Sequence, residues 1–387
     1  MPEWLLALNV GSSSVKFSAF PRAAGSELLR GAVSSVDEQP QLTLRRAGEV
    51  LSVSSCGALV TDLRTAIEHA LDAALSCLDR SKLVAVGHRI VHGGADFTRP
   101  TLLTTETVEA LSQLERLAPL HQLASLAAID LVARRAPDVP QWGCFDTAFH
   151  ATQPRFNQVF ALPAELAARG VRRFGFHGLS YEHAAQVMRQ RFGGGGRAVV
   201  AHLGAGASLC ALRDGVSVAT TMGMTPLSGI PMATRPGDLD PGAILYLLEE
   251  LGMSISEVRD VLYRRSGLLG LSSESGDMRR LLASARPQAA EAVSFFIESV
   301  QREIASLAAA LGGVDTLVFT AGVGEHVPVV RAGIGAACAW LGVRIDSALN
   351  EANADEIHVP GSAIRVAVVR ADEEAIIAKH LRDTLLS

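Results

Sequence analysis

Side chains that could act on a phosphoryl group stand at the ends of apolar runs and in loops rich in glycine and proline. Arg89 and Arg235 are candidates for phosphate binding, because a planar guanidinium matches two phosphoryl oxygens at once. His121 and His177 could donate hydrogen bonds to the equatorial oxygens of a phosphoryl group during transfer. A single arginine is more typical of a surface ion pair, so the phosphate hypothesis depends on the whole group.

Two carboxylates are candidates for a magnesium site. Asp146 ends the apolar stretch QWGCF, and Glu373 lies in the segment ADEEA. Magnesium bound to ATP takes one or two protein carboxylates and keeps several waters. The competing interpretation of Glu373 is the acidic first turn of a C-terminal helix. No H-E-x-x-H motif occurs, so a metal held by histidines is not predicted.

Two Gly-rich hairpins are predicted, one in each half of the chain. The stretch LLALNVGSSSVKFSAF, residues 5–20, has alternating apolar runs on both sides of a turn that is rich in hydroxyls. The stretch AVVAHLGAGASLCALRDG, from residue 198, repeats this pattern. Such a turn offers N–H and O–H donors to a phosphate, although an ordinary Ser-rich turn explains the first stretch equally well. The repeat favours two similar lobes that share an ATP cleft.

A third Gly-rich turn is predicted in TLVFTAGVGEH, residues 316–326, where Gly322 and Gly324 would let the backbone approach a ligand. Apolar strands alternate with helical patterns elsewhere, which indicates an α/β architecture. The predicted helices cover residues 62–78, 105–134 with a break at Pro119, the stretch YEHAAQVMRQRF, and residues 287–311.

Length, charge and composition exclude several classes of function. A chain of 387 residues is long enough for two domains, and its formal charge of −5 argues against nucleic acid or an anionic membrane as partner. The five cysteines include no C-x-x-C pair, so neither a zinc site nor a disulfide framework is indicated. No lysine follows a glycine, which excludes the G-x-x-x-x-G-K-[ST] phosphate loop. A cytosolic location is expected, since no stretch approaches the length of a membrane span.

The motifs, in their order, resemble the acetate kinase family. The resemblance runs from residue 5 to the last helix and is carried by NVGSSSVKF, GHRIVHGG, FDTAFH, RRFGFHGLS, HLGAGAS, TPLSGIPMATRPGDLDP, TAGVGEH and DEEAI. It implies an α/β fold of two duplicated actin-like, ribonuclease-H-like domains around a nucleotide cleft, as in sugar kinases, actin and chaperone ATPases. The N-terminal domain would comprise residues 1–150 with about 372–387, and the nucleotide-binding domain residues 151–371.

The same resemblance implies a role for each matching residue. Asn9 and Glu373 would bind Mg²⁺, for which Mn²⁺ could substitute, and Asp146 would be the catalytic carboxylate. The substrate-side arginine would be Arg89, and the transition state would be stabilised by His177 and Arg235. The acyl group would contact Val91, Leu120, Phe176 and Pro226. The nucleotide would be bound by Ser12, Ser14, Lys16, His202, Leu203, Gly204, Ala205, Gly206, Asp277, Met278, Arg279, Gly322, Val323, Gly324, Glu325 and His326.

The implied activity is reversible phosphoryl transfer from ATP to acetate, giving acetyl phosphate and ADP, by a cytoplasmic homodimer. Two positions depart from the family pattern: Ala205 replaces an asparagine, and His326 occupies the last polar position of its G-x-G-E-N turn. Both concern nucleotide affinity or choice of phosphoryl donor. The alternatives are a propionate or butyrate kinase, an actin-like or chaperone-like ATPase whose acceptor is water, and an inactive paralogue.

Overall fold

Two compact units make up the computed structural model. One comprises Met1–Phe149 with Asp372–Ser387, and the other comprises His150–Ala371. The structure describes residues 2–386 apart from Ser12, Ser13, Ser35, Asp37, Glu38 and Gly195, and it describes only the backbone of residues 119–121.

The first unit is built on an eight-stranded sheet in the order β5-β4-β3-β2-β1-β6-β8-β7. Every residue of β1 is buried, because the strand lies inside the sheet and both faces are covered. β1 pairs antiparallel with β2 and parallel with β6. The strands are β1 (Trp4–Val10), β2 (Val15–Pro21), β3 (Leu29–Ser34), β4 (Gln41–Arg46), β5 (Glu49–Ser55), β6 (Leu83–Ile90), β7 (Thr101–Leu102) and β8 (Gln141–Phe145).

Helices cover the faces of this sheet. The helix predicted over residues 62–78 is α1 (Leu63–Cys77), and it starts at a capping box in which the Thr65 N–H donates to Asp62 Oδ1 at 2.8 Å. The tract from residue 105 divides as expected at Pro119, which occupies the first turn of the second helix. The remaining helices are α2 (Thr105–Ser112), α3 (Pro119–Arg135) and the C-terminal helix (Glu373–Leu386).

The second unit repeats the central strand pattern of the first. Its five-stranded sheet has the order β11-β10-β9-β12-β13, in which β9 is antiparallel to β10 and parallel to β12. The first unit has the same arrangement in β3-β2-β1-β6-β8, so the α/β prediction and the internal repeat of hairpins are confirmed. The strands are β9 (Arg197–Leu203), β10 (Ala207–Arg213), β11 (Val216–Thr220), β12 (Thr316–Thr320) and β13 (Arg365–Val368).

The longest helix of this unit, α11, coincides with the predicted residues 287–311 and buries an apolar stripe that includes Phe296, Val300 and Ile304. No helix in the described part of the chain is long and apolar enough to span a membrane. The helices are α4 (Arg155–Gln158), α5 (Ala164–Ala168), α6 (Gly178–Phe192), α7 (Pro241–Glu249), α8 (Ile255–Asp260), α9 (Gly267–Ser272), α10 (Met278–Ala283), α11 (Pro287–Leu311), α12 (Ala321–His326), α13 (Pro328–Ala337) and α14 (Ser347–Glu351).

The prediction of a third Gly-rich turn in residues 316–326 is wrong, because the glycines lie in a short helix. β12 ends at Thr320 and the next six residues form α12, which includes both glycines. The left-handed backbone conformation in this segment belongs to Ala321, with a φ of 65°, and not to either glycine. Arg331 Nη1 donates to the carbonyls of Gly324 and Glu325 at 2.9 Å each, which satisfies helix-terminal acceptors and holds this short helix.

Candidate active site

A buried ion pair lies at the carboxyl ends of two adjacent parallel strands of the first unit. Arg89 is in β6, and Asp146 follows β8 immediately, so the strand register places the two side chains together. Arg89 donates to Asp146 from Nη2 to Oδ2 at 2.7 Å and from Nε to Oδ1 at 3.0 Å. Burial by itself would lower the pKa of the Arg89 guanidinium. The nearby carboxylates of Asp146 and Glu373 have the larger effect, so the pKa is raised.

Two adjacent carboxylates of the C-terminal helix extend this cluster. The Asn9 amide Nδ2 donates to Glu373 Oε2 and to Glu374 Oε1, each at 2.8 Å, and Asn9 Oδ1 accepts from Arg89 Nη1 at 3.1 Å. Burial raises the pKa of the Glu374 carboxyl. The sequence analysis named Glu373 alone and missed Glu374, although the doubled acidic residue in DEEAI was the available signal.

The two hairpins place their turns as predicted. In β1–β2, Asn9 pairs with Lys16, and the Gly11 N–H donates to the Ser14 carbonyl at 2.8 Å. Lys16 is exposed. Ser12, also predicted to bind nucleotide, lies outside the described residues. In β9–β10, His202 pairs with Ser208, and the Gly204 N–H donates to the Gly206 carbonyl at 3.2 Å.

Arg235 and His177 converge on the turn of the second hairpin. A Cβ added at Gly206 would lie 3.3 Å from Arg235 Nη2 and 3.3 Å from His177 Nε2. His177 caps α6 with a left-handed φ of 57°, and its ring stacks on that of His202 with centroids 4.1 Å apart. The two side chains therefore approach the turn at a glycine, where no side chain of the hairpin fills the space between them.

The side chain of Arg235 is partly buried, and its Nη1 donates to the Pro226 carbonyl at 2.8 Å. Burial lowers the pKa of Arg235. Among the residues that the structure describes, no carboxylate forms an ion pair with it. A partly desolvated cation without a counter-anion is unfavourable, so the site favours an incoming anion such as a phosphoryl group.

A cavity of about 290 Å³ in the second unit adjoins this turn. It brings together predicted nucleotide residues from the hairpin, α10 and α12, which are far apart in the chain. The predicted residues that line it are Gly204, Ala205, Asp277, Met278, Arg279, Gly322, Val323 and His326. Sequence reasoning missed the lining residues Leu268, Gly276, Phe296 and Val327, which carry no motif of their own.

The remaining predicted residues do not line this cavity. Leu203 is buried in β9, and Gly324 and Glu325 belong to α12. Glu325 Oε1 instead accepts a hydrogen bond from the Ala371 N–H at 2.9 Å. The acyl-site residues Val91, Phe176 and Pro226 are buried, but their common pocket stays a prediction. The side chains of Leu120 and His121 lie outside the described part of the chain.

Comparisons with known proteins agree over almost the whole sequence. The model of the acetokinase family matches residues 4–379. An acetate kinase of Rhodopseudomonas palustris is 44% identical, with 98% of each chain covered. The solved structure of a propionate kinase from Francisella tularensis superposes with a TM-score of 0.89 at 32% identity, covering 98% of this chain and 99% of the other.

The crystal structure of Porphyromonas gingivalis acetate kinase superposes with a TM-score of 0.85 at 33% identity, and each chain is covered completely, 100% of each. The fold class implied by the resemblance is thereby confirmed. The sequence motifs, the duplicated topology and the match of the family model lead to one assignment: this chain belongs to the acetokinase family.

Proposed function

We propose that this protein is an acetate kinase, which transfers the γ-phosphoryl group of ATP to acetate and gives acetyl phosphate and ADP. The observation that carries the proposal is the convergence of Arg235 and His177 on the turn of the hairpin that also lines the cavity of the second unit. Family membership supports the same reaction. The units Met1–Phe149 with Asp372–Ser387, and His150–Ala371, would be its two domains.

The reaction requires alignment and charge neutralisation more than proton transfer. Acetate is already ionised at neutral pH, so its carboxylate oxygen can attack the γ-phosphorus directly while the bond to the bridging oxygen of ADP breaks. Arg235 and His177 would donate to the phosphoryl oxygens in the transition state. Arg89 would bind on the acetate side, with Asp146 fixing its fork. The same groups serve the reverse reaction.

The cluster around Asn9 fits Mg²⁺, which we propose as the cofactor. Glu373 and Glu374 both contact one amide group, and two neighbouring buried carboxylates favour a cation. The described residues contain no cluster of three or more His, Cys, Asp or Glu side chains that could hold a metal ion. When bound, Mg²⁺ would neutralise phosphate charge and orient the nucleotide. Mn²⁺ would substitute for it.

We expect Glu373→Ala to raise the Mg²⁺ concentration needed for half-maximal rate and to lower kcat, because one carboxylate ligand is lost. A magnesium titration at saturating ATP and acetate checks this. The matched control is Glu106→Ala, which removes an exposed carboxylate from the first turn of α2 and should leave the titration unchanged. An unchanged titration for Glu373→Ala would assign that residue to the start of the C-terminal helix alone.

Ala205 lines the proposed nucleotide cavity, where an asparagine could donate a hydrogen bond to phosphate. Such a charge-assisted bond is worth about 1.5–3 kcal/mol. We therefore expect Ala205→Asn to lower the KM for ATP several-fold and to leave the KM for acetate nearly constant. Initial rates at varied ATP test this. A KM for ATP that stays constant or rises would mean that position 205 does not contact the phosphates, or that His326 already fills the role.

Propionate kinase is the alternative activity, since a propionate kinase is among the solved structures that this fold matches. Val91 is buried beside the end of β6 and would limit the acyl pocket to a small acid. We expect Val91→Ala to shift the ratio of kcat/KM toward propionate by about tenfold, because one methylene in such a pocket is worth about 1–3 kcal/mol. A ratio that does not change would remove Val91 from the pocket.

The proposal also includes a cytoplasmic homodimer. ATP and ADP, its nucleotide substrates, are abundant in the cytoplasm. Helix α7 supports the proposal of a homodimer, because it contains no buried residue and its apolar side chains Leu245 and Tyr246 are 54% and 56% exposed. Leu251 and Ile255, close by in the chain, are 58% and 70% exposed. Apolar side chains grouped on a surface favour association with a partner.

One assay separates the candidate activities. Purified protein with ATP and Mg²⁺ should release ADP only when a carboxylic acid is present, fastest with acetate, then propionate, then butyrate. ADP release without any acid would indicate an ATPase whose acceptor is water. No release with any acid would indicate an inactive paralogue.

A further inference from the structure

A chain of buried hydrogen bonds runs behind His177 to the interior of the second unit. Tyr181 Oη lies 2.5 Å from Ser208 Oγ, and Ser208 Oγ lies 2.8 Å from His177 Nδ1. Tyr181 and Ser208 are both fully buried. We propose that Tyr181 and Ser208 are positioning residues that hold His177 as the neutral tautomer protonated on Nε2. The inference rests on the proposed function for the phosphoryl group that this proton would meet.

The proton order follows from the chemistry of the three groups. Ser208 carries one hydroxyl proton and stands between a phenol and an imidazole nitrogen. A phenol is a stronger donor and a weaker acceptor than an aliphatic hydroxyl, and burial raises the pKa of Tyr181, so the phenol keeps its proton. Tyr181 therefore donates to Ser208, and Ser208 donates to Nδ1. A neutral imidazole that accepts at Nδ1 carries its proton on Nε2.

The protonated nitrogen faces the candidate phosphoryl site. Nε2 lies 3.3 Å from the position of a Cβ at Gly206, the same distance as Arg235 Nη2. The relay thus turns His177 into a second donor beside the cation. The opposite tautomer would present a lone pair to the oxygens of an anion and would repel them.

The backbone conformation of His177 indicates that surrounding contacts fix this residue in place. A left-handed φ of 57° is unfavourable for a non-glycine residue, and it persists only where surrounding contacts fix it. The contacts here include the hydrogen bond to Ser208 and the stack on His202. His202 also has a serine partner: its Nδ1 lies 2.8 Å from the Oγ of Ser180, which is in α6. This second pair provides a matched comparison.

The test reads the tautomer directly and needs no substrate. In ¹⁵N-histidine-labelled protein, the His177 nitrogen shifts, assigned with a His177→Gln variant, should show Nε2 protonated and Nδ1 accepting. Ser208→Ala should shift His177 toward a mixture of tautomers, and Tyr181→Phe should do so to a smaller extent. Ser180→Ala should change the His202 signals and leave those of His177 in place. A wild-type His177 protonated on Nδ1, or unmoved in Ser208→Ala, would overturn the proposal.

Kinetics supply the second readout. Loss of the group that orients an imidazole can cost up to about 10⁴ in rate, so we expect kcat to fall about 100-fold in Ser208→Ala and about tenfold in Tyr181→Phe. The KM values for ATP and acetate should stay within about twofold, because the relay affects the transition state. Tyr181→Phe keeps the ring volume, and its thermal midpoint monitors folding. Equal rises in KM with kcat unchanged would contradict a positioning role. If the wild-type protein lacked kinase activity, the tautomer measurement would still decide this inference.

Discussion

Arg235→Ala is expected to lower kcat by about 10²–10⁴ and to leave the KM for acetate nearly constant. Arg235 is a partly buried cation without a carboxylate ion-pair partner in the described part of the chain, and its Nη2 lies 3.3 Å from the position of a Cβ at Gly206, in the turn of the second hairpin. Its charge is therefore available to the transferred phosphoryl group, whose negative charge is spread over three equatorial oxygens in the transition state. Steady-state rates of acetyl phosphate formation measure the effect.

Two further variants define the cause. Arg235→Lys keeps the charge and loses the planar fork, so it should recover only part of the rate. Arg302→Ala is the matched control, because Arg302 is in the same unit but is 74% exposed and pairs with Glu298 on the surface of α11. A loss of only a few-fold in Arg235→Ala would remove this arginine from the transition state.

Arg89→Ala is expected to abolish most activity and also to destabilise the protein. Its partner Asp146 has a side chain that is 1% exposed, and removing one member of a buried ion pair costs about 3–5 kcal/mol because the remaining charge loses its counter-charge. Urea unfolding should show this loss, and the rate of phosphoryl transfer should fall by about 10²–10⁴. Both effects come from one side chain, so they must be separated.

The double variant Arg89→Ala/Asp146→Ala separates them. It removes both charges and should recover part of the stability, while activity stays low because the substrate-side arginine is absent. Arg135→Ala is the control on the same unit: Arg135 pairs with Asp72 at 2.7 Å, but the side chains are 45% and 50% exposed, so the expected cost is below about 1 kcal/mol. Recovered activity in the double variant would contradict a substrate role for Arg89.

Strong local patterns made much of the fold predictable. Helix α11 and the two hairpins follow from periodicity and Gly-rich turns, and Pro119 begins α3 because proline suits a first helical turn. The segment after β12 was mispredicted, because glycines usually indicate a turn, whereas here Ala321 has the left-handed conformation and Arg331 holds α12 through contacts distant in sequence. Tertiary contacts outweighed local preference.

The candidate site was predictable where motifs end strands, as at Asp146, and not where packing alone defines a role. Glu374 joins the site through its contact with Asn9, and the link from Tyr181 in α6 to His177 passes through Ser208 in β10. The spacing of these residues in the sequence does not predict either of these contacts. Long-range hydrogen bonds of this kind depend on the completed sheet.

The central claim is that this chain moves a phosphoryl group directly from ATP to acetate. Trapping the acyl phosphate with hydroxylamine tests it most directly: purified protein, ATP, Mg²⁺ and acetate should yield acetohydroxamate and ADP in equal amounts, and Arg235→Ala should suppress both together. ADP produced without acetohydroxamate would contradict the claim, because the phosphoryl group would then have gone to water.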